Sequence, residues 1–158
     1  MSIMNITIMN RYSAIQYCEN QHEQKSAIIS ISTPYGEYIN DPPFVSPTNN
    51  VQDILYLSFA DADAPNTLDV YDRLVTEEQL LTDTDAKRIV EFVKKNIDYS
   101  IIVHCDAGIS RSSAVGAAIL KYYTGDDTSI FDSSRYFPNM WCYKKVLNAF
   151  YIYDNRGD

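Results

Sequence analysis

The chain has no apolar run that approaches the roughly 18 residues needed to span a membrane. Its first residues, Met1-Ser2-Ile3-Met4-Asn5, lack the basic start and cleavage site of a signal peptide. No internal repeat, low-complexity tract or long linker divides the 158 residues. These absences predict a single domain over residues 1–158 and a cytoplasmic location.

Positive charge is also scarce. Thirteen Lys and Arg residues stand against 21 Asp and Glu residues, for a net charge of −8. Nucleic acids and anionic membranes are bound by clustered Lys and Arg side chains. We therefore expect neither a nucleic-acid nor a membrane partner; the sequence does not indicate an oligomeric state.

Cysteines are few: Cys18, Cys105 and Cys142. An odd number at wide spacing does not indicate a disulfide framework, and without a Cys-x-x-Cys pair there is no zinc signature. We expect no metal and no cofactor. Cys18 and Cys142 are interpreted as small buried apolar residues, whereas the surroundings of Cys105 suggest chemistry.

Apolar β-branched runs alternate with helical patterns along the chain. This alternation predicts an α/β fold with a mostly parallel sheet of four or five strands, flanked by helices. The predicted strands cover 3–9, 27–32, 51–59 and 100–103. The first three predicted helices cover 11–18, 83–97 and the segment from just after Cys105 to about Tyr123, with a stop at Gly125. A short helical turn ending at Phe131 and a last helix over 138–150 follow.

Two further regions carry expectations. Residues 66–81 are hard to interpret, although Thr76-Glu77-Glu78-Gln79 fits a capping box. The tail from Asp154 to Asp158 is polar and predicted to fray. In the last helix, five residues are predicted to face the core: Met140, Tyr143, Val146, Leu147 and Phe150.

The stretch from Ser100 to Ser113 places Cys105 where a strand ends and a helix begins. Free N–H groups and the helix dipole make such a junction an anion site that lowers the pKa of a thiol. Five residues separate Cys105 from Arg111, and their N–H groups can form a nest around a phosphate. These phosphate-binding residues are Asp106, Ala107, Gly108, Ile109 and Ser110.

The side chains around this loop suggest a phosphocysteine mechanism. Arg111 has the planar fork that binds two phosphate oxygens, and a Cys105 thiolate can attack phosphorus in line. Ser112 can donate its hydroxyl to the sulfur and help it leave. His104 fits an organising role in the loop better than proton transfer.

A proton donor for the leaving oxygen must come from another loop. Asp61 and Asp63 follow the third predicted strand, whose carboxyl end should meet the Cys105 loop. One of the two can be structural and the other catalytic.

The segment His104-Cys105-x-x-Gly108-x-x-Arg111-Ser112 resembles the signature of the cysteine-based protein tyrosine and dual-specificity phosphatases. Phe59-x-Asp61 is similar to the general-acid loop of compact bacterial and viral members, and it selects Asp61 over Asp63. An ungapped comparison from Tyr56-Leu57 with some dual-specificity enzymes selects Asp63 instead. Pro138-Asn139 before a last helix resembles small bacterial and phage-type phosphatases.

The resemblance implies a phosphoprotein phosphatase, with a phosphorylated protein or peptide as its substrate partner and no metal. Two departures qualify it. Trp141 is the only tryptophan, so the Trp-Pro-Asp acid loop of the larger tyrosine-specific enzymes is absent. Residues Asn66 to Thr82 add length between Asp61 and Cys105. This segment could form a lid or a surface that binds a partner.

Three alternative functions place different demands on the sequence. A phosphoinositide or RNA 5′-phosphate would call for extra Lys or Arg in the loop, where Asp106 stands instead. A low-molecular-weight phosphatase or an arsenate reductase would have its Cys–Arg loop near the N-terminus. A phosphopeptide-binding module would have lost the cysteine, the arginine or the acid. Tyr35 and Tyr38 could form a wall of the pocket, but in a chain with 13 tyrosines an ordinary loop position is the better explanation.

Overall fold

The computed structural model describes residues 4–35 and 50–155. Four strands form one sheet in the order β1-β4-β2-β3, and every neighbouring pair is parallel. The strands are β1 (Ile6–Met9), β2 (Ser26–Ser32), β3 (Val51–Ser58) and β4 (Ser100–His104). The predicted α/β class and parallel sheet are confirmed; Tyr38 lies outside the described residues.

Five helices accompany the sheet in the described part of the chain. They are α1 (Arg11–Glu19), α2 (Asp83–Lys95), α3 (Arg111–Thr124), α4 (Thr128–Phe131) and α5 (Met140–Asn155). The stop predicted at Gly125 is confirmed, since Gly125 ends α3 with a φ of 78°, which favours glycine. Among the described residues, no helix is long and apolar enough to cross a membrane.

Two expectations for the C-terminal region were wrong. The tail predicted to fray from Asp154 is instead helical at Asp154 and Asn155, because Tyr153 still packs against the core and extends the helical pattern of α5. The rest of that predicted tail, 156–158, lies outside the described residues. Met140 is exposed rather than buried, since it is the first residue of α5 and lies at the rim of a groove.

The sheet buries both of its faces, as a parallel sheet does. On one face, Ile29, Ile101 and Val103 pack in the main core with apolar side chains of α2, α3 and α5. On the other face, Ile28 and Ile102 pack against Cys18 of α1. The alternation along β2 and β4 follows the two-residue period of a strand.

The strand register gathers the polar residues at one edge. Ser30 of β2 lies opposite His104 of β4, so the residues that follow β2, β3 and β4 leave the sheet side by side. Thr33 follows β2, Asp61 follows β3 and Cys105 follows β4. This edge is the carboxyl end of the sheet, where ligands bind in open α/β folds.

Residues 66–75 form a short antiparallel ribbon beside this edge. The backbones of Leu68 and Leu74 are bridged, and the N–H of Asn66 donates to the carbonyl of Val75 at 2.7 Å. A 3₁₀ turn (Glu77–Gln79) follows, and its predicted capping box is confirmed by the Thr76 N–H donating to Gln79 Oε1 at 2.9 Å.

Candidate active site

Cys105 lies at the bottom of the loop between β4 and α3. Its side chain is buried, and its Sγ lies 3.1 Å from Ser112 Oγ. The Gly108 N–H donates to the same sulfur across 3.2 Å. The predicted pairing of Cys105 with Ser112 is thus present.

The carbonyl groups of the loop are held from outside by donors from several elements. The four donor-to-carbonyl pairs are His104 Nδ1 to Cys105 (3.1 Å), Arg11 N to Asp106 (3.1 Å), Phe137 N to Ile109 (3.0 Å) and Asn139 N to Ser110 (3.0 Å). In a planar trans peptide the following N–H points opposite to the carbonyl. The next N–H groups therefore point away from these outer partners, as an anion nest requires.

Gly108 is the tightest point of the loop. Its φ is 71°, and an added Cβ would lie 2.7 Å from the backbone nitrogen of Asn10 and 2.8 Å from the carbonyl carbon of Met9. Only glycine meets both conditions, because other residues rarely adopt this φ and backbone atoms cannot yield. The junction of β1 and α1 thus supports the loop from below.

Arg111, the first residue of α3, is buried and fixed at both ends of its guanidinium group. Nη1 donates to the carbonyl of Phe59 at 2.8 Å, and Nη2 pairs with Asp106 Oδ2 at 3.2 Å. Arg111 therefore joins the end of β3 to the Cys105 loop and has its positive charge inside the site.

The side chain of Asp106 also takes part in the site, whereas the sequence predicted only a contribution from its backbone N–H. Its Oδ2 accepts the hydroxyl of Thr33 at 2.7 Å as well as the Arg111 fork. The Tyr71 hydroxyl lies beside Thr33 and Asp106, and burial followed by the Asp106 charge raises the pKa of Tyr71. Thr33 and Tyr71 were missed in the sequence because neither belongs to a motif.

The structure distinguishes Asp61 from Asp63 by their partners. Asp61 Oδ1 accepts from Ser110 Oγ at 2.9 Å and from Asn139 Nδ2 at 2.8 Å. Asp63 is exposed, and its carboxylate accepts the backbone N–H of Met140 at 3.3 Å. Asp61 is therefore directly linked to the Cys105 loop.

Asn139 connects three parts of the site and was not assigned a role from the sequence. Besides Asp61, its buried side-chain amide donates to the carbonyl of Ala62 at 3.0 Å. Its Oδ1 accepts the N–H of Cys142 at 3.0 Å and so caps α5. The signal was its position before the last helix, where Asn commonly caps.

His104 is a neutral organising residue. Its Nδ1 faces the Cys105 carbonyl, so Nδ1 carries the proton and Nε2 accepts from Ser30 Oγ at 2.7 Å. Burial lowers the pKa of His104 to about 4. This arrangement fits the structural role expected from the sequence.

The two remaining cysteines fit the interpretation as buried apolar residues. Both are buried. Burial raises the pKa of Cys18 to about 11 and raises that of Cys142 well above its ordinary value, so both are protonated near neutral pH.

No family model and no curated protein sequence matches the chain. Three solved structures align with it over most of its length. They are the human tyrosine phosphatase-like serine/threonine/tyrosine-interacting protein (19% identity, 94% of this chain and 93% of that one, TM-score 0.58), Tk-PTP in its active form (11%, 96% and 93%, 0.53) and PTPMT1 in complex with PI(5)P (16%, 85% and 81%, 0.51).

These structures establish a fold. The chain has the fold of the protein tyrosine and dual-specificity phosphatases, which is the fold that the resemblance implies. The narrower likeness to small bacterial and phage-type members stays a prediction.

Proposed function

We propose that this chain, with its tyrosine phosphatase fold, is a phosphoprotein phosphatase that hydrolyses phosphotyrosine through a phosphocysteine intermediate. The observation that carries the proposal is the Cys105 sulfur, which lies 3.2 Å from the Gly108 N–H and 3.1 Å from the Ser112 hydroxyl at the bottom of an anion nest. This arrangement suits a thiolate better than a structural thiol.

In the first step the Cys105 thiolate attacks phosphorus. A sulfur–phosphorus bond forms and the bond to the ester oxygen breaks. Asp61 gives its proton to the departing oxygen, so the tyrosine leaves as a neutral phenol. Arg111 and the loop N–H groups from Asp106 to Ser110 neutralise the charge on the equatorial phosphate oxygens.

In the second step the Asp61 carboxylate removes a proton from water, and the water oxygen attacks phosphorus. The sulfur–phosphorus bond breaks and inorganic phosphate is released. The Ser112 hydroxyl donates to the departing sulfur and favours its return as a thiolate. The enzyme is then in its starting state, with Asp61 protonated.

The proposal requires no cofactor, since the nucleophile, the acid and the charge on Arg111 all come from the chain. It also includes a cytoplasmic location, because reducing conditions keep the Cys105 thiol available. Activity that persists with a chelator of divalent cations would agree with a metal-independent reaction.

Hydrolysis of p-nitrophenyl phosphate between pH 5 and pH 8 tests the proposal. We expect turnover by the wild type and none above background by Cys105→Ser, which keeps the shape of the site but lacks a strong nucleophile. Equal rates for the two proteins would refute the enzyme assignment. Parallel assays with phosphotyrosine, phosphoserine and phosphothreonine peptides then define the substrate range.

A second function, phosphopeptide binding without turnover, is favoured by one observation. The Arg111 fork is already occupied by Asp106 and by the Phe59 carbonyl, so a phosphate must compete with a carboxylate for it. One protein of the same fold is described as a phosphatase-like interacting protein. Phosphopeptide binding by the wild type, with no release of phosphate, would identify this function.

A non-protein phosphoester is the remaining alternative. It is motivated by the likeness to PTPMT1, whose structure contains PI(5)P. The Asp106 carboxylate inside the site opposes it, because additional phosphate groups on the substrate would meet a negative charge.

A further inference from the structure

The 66–75 ribbon presents apolar side chains to solvent beside the candidate active site. Leu68, Val70, Tyr71 and Leu74 are all exposed, with Val70 at 64%. Val75, by contrast, is buried with Ala60 and Ala62 and fixes the ribbon to the body of the protein. Contiguous exposed apolar surface on an anchored segment is typical of a binding site.

Leu68 and Val70 form one wall of a groove of about 1140 Å³. The opposite wall comes from residues 131–140 and includes Phe131, Phe137 and Met140. Ile109 and Ser110 of the Cys105 loop also line the groove, as does Asp61. The groove therefore extends from the proposed reaction centre, and its occupant would be continuous with the phosphorylated group.

The charges along the groove have one sign. Its lining contains the carboxylates of Asp61, Asp63 and Asp69, and no Lys or Arg among the residues that the structure describes. The Asp69 carboxylate forms hydrogen bonds within the ribbon, since its Oδ1 accepts from the backbone N–H groups of Tyr71 and Arg73. Asp63 is exposed, so it is the acid that faces an incoming ligand.

The same ribbon reaches the mouth of the phosphate site. Tyr71 lies beside Thr33 and Asp106, while Leu68 and Val70 line the groove. One short segment therefore contacts the site of the phosphate and the space next to it, which is where residues flanking a phosphotyrosine would lie.

We propose that this groove binds the polypeptide segment next to the phosphorylated residue, and that it selects a bulky apolar side chain together with a Lys or Arg facing Asp63. The proposal rests on the proposed function and adds the substrate preference. It also gives residues Asn66 to Thr82 a role as a substrate surface rather than a lid.

A lipid acyl chain could also contact the apolar walls. It would bring an anionic head group and an anionic bilayer surface towards Asp61 and Asp63, which like charges oppose. A basic, apolar peptide meets both the carboxylates and the apolar walls without a charge conflict. The charge of the groove therefore favours a protein ligand.

Three matched phosphotyrosine peptides test the preference: a parent with flanking Leu and Lys, a version with Leu replaced by Ser, and a version with Lys replaced by Glu. We expect kcat/KM of the wild type to fall about tenfold for each replacement. In the Leu68→Ser/Val70→Ser double variant, the ratio between the parent and the Ser peptide should collapse towards one. A ratio taken on one enzyme cancels any change in its basal rate.

Ile152→Ser is the matched control, because Ile152 is an exposed apolar residue (44%) on α5 that does not line the groove. It should keep the wild-type ratio. An unchanged ratio in the double variant, or a wild-type enzyme indifferent to the three peptides, overturns the proposal. Stronger activity on phosphatidylcholine vesicles containing a phosphatidylinositol monophosphate, lost in the double variant, assigns the groove to lipid instead.

The two proposals can fail separately. Turnover of p-nitrophenyl phosphate without peptide preference overturns the groove assignment and leaves the phosphatase. If the wild type shows no turnover, fluorescence anisotropy with the three peptides and Cys105→Ser measures the same preference as affinity. A difference in affinity among the three peptides would support the groove assignment for a protein that binds without turnover. Equal affinities would overturn the groove assignment.

Discussion

At the scale of single residues, the carboxylates of the candidate site differ in the groups that donate hydrogen bonds to them. Asp61 is linked to the Cys105 loop through Ser110, whereas Asp63 accepts the N–H of Met140 at the start of α5. Asp106 lies inside the site and holds the Arg111 fork. Three acids near one phosphate site thus have three different environments, and their expected effects on catalysis differ accordingly.

The assignment of the general acid can be tested with two matched substitutions. Asp61→Asn should lower kcat for phenyl phosphate by about 100-fold or more, since its poor leaving group needs a proton. Asp63→Asn should stay within a few-fold of the wild type. A larger loss in Asp63→Asn than in Asp61→Asn would reverse the assignment.

The residue scale also shows what a sequence can reveal about a site. Cys105, Gly108, Arg111 and Ser112 belong to one short motif, because consecutive residues must wrap a single anion. Thr33 and Tyr71 come from distant segments and are placed by sheet register and by the ribbon. Nothing in their own sequence surroundings marks them, so only the fold could show their position.

At the scale of elements, the start of α5 holds the acid loop against the Cys105 loop. Asn139 donates to Asp61 and Ala62, accepts from Cys142, and binds the Ser110 carbonyl through its own N–H. The N-terminal end of one helix therefore fixes the relative position of the Asp61 loop and the Cys105 loop. We interpret Asn139 as a positioning residue.

Asn139→Ala should lower the free energy of unfolding by about 1–3 kcal/mol, because it removes a helix cap and leaves buried polar groups unpaired. It should also lower kcat, and more for phenyl phosphate than for p-nitrophenyl phosphate, because the poorer leaving group depends more on the proton from Asp61. Asn148→Ala, an exposed site on the same helix, is the control for a general effect on α5. Equal stability and equal kcat values for the two variants would contradict this role.

Elements with a strong period were predictable, and their ends were less so. The core-facing pattern of α2 and the β-branched run of β4 gave the correct structures, since burial of one face decides them. Residues 66–75 have no such period. Their ribbon is held by backbone hydrogen bonds and by Asp69, which a hydrophobic pattern does not report.

At the scale of the whole molecule, buried His104 makes stability depend on pH. Its pKa is lowered to about 4 by burial, against an ordinary value of about 6.5. Between these values the unfolded chain binds a proton that the folded chain does not. The contribution of neutral His104 to the free energy of unfolding is therefore fully present above pH 6.5. It is lost as the pH falls towards 4, and the total loss is about 3 kcal/mol.

Chemical denaturation at several pH values measures this effect. Between pH 6.5 and pH 4, the free energy of unfolding should fall more steeply for the wild type than for His104→Asn, because the variant lacks the titrating imidazole. His22→Asn, which changes the only other histidine, should keep the wild-type difference. Parallel curves for the wild type and His104→Asn would show that another group is responsible.

The carbonyl groups of the Cys105 loop are bound by α1, by the residues before α5 and by His104 of β4. The first and last thirds of the chain must therefore both be in place before the nest can form. We therefore expect a folding intermediate that lacks either end not to bind an anion, and recovery of phosphate or vanadate binding during refolding to mark the final step of assembly. Such an oxyanion would act as a stabilising ligand for the complete fold alone.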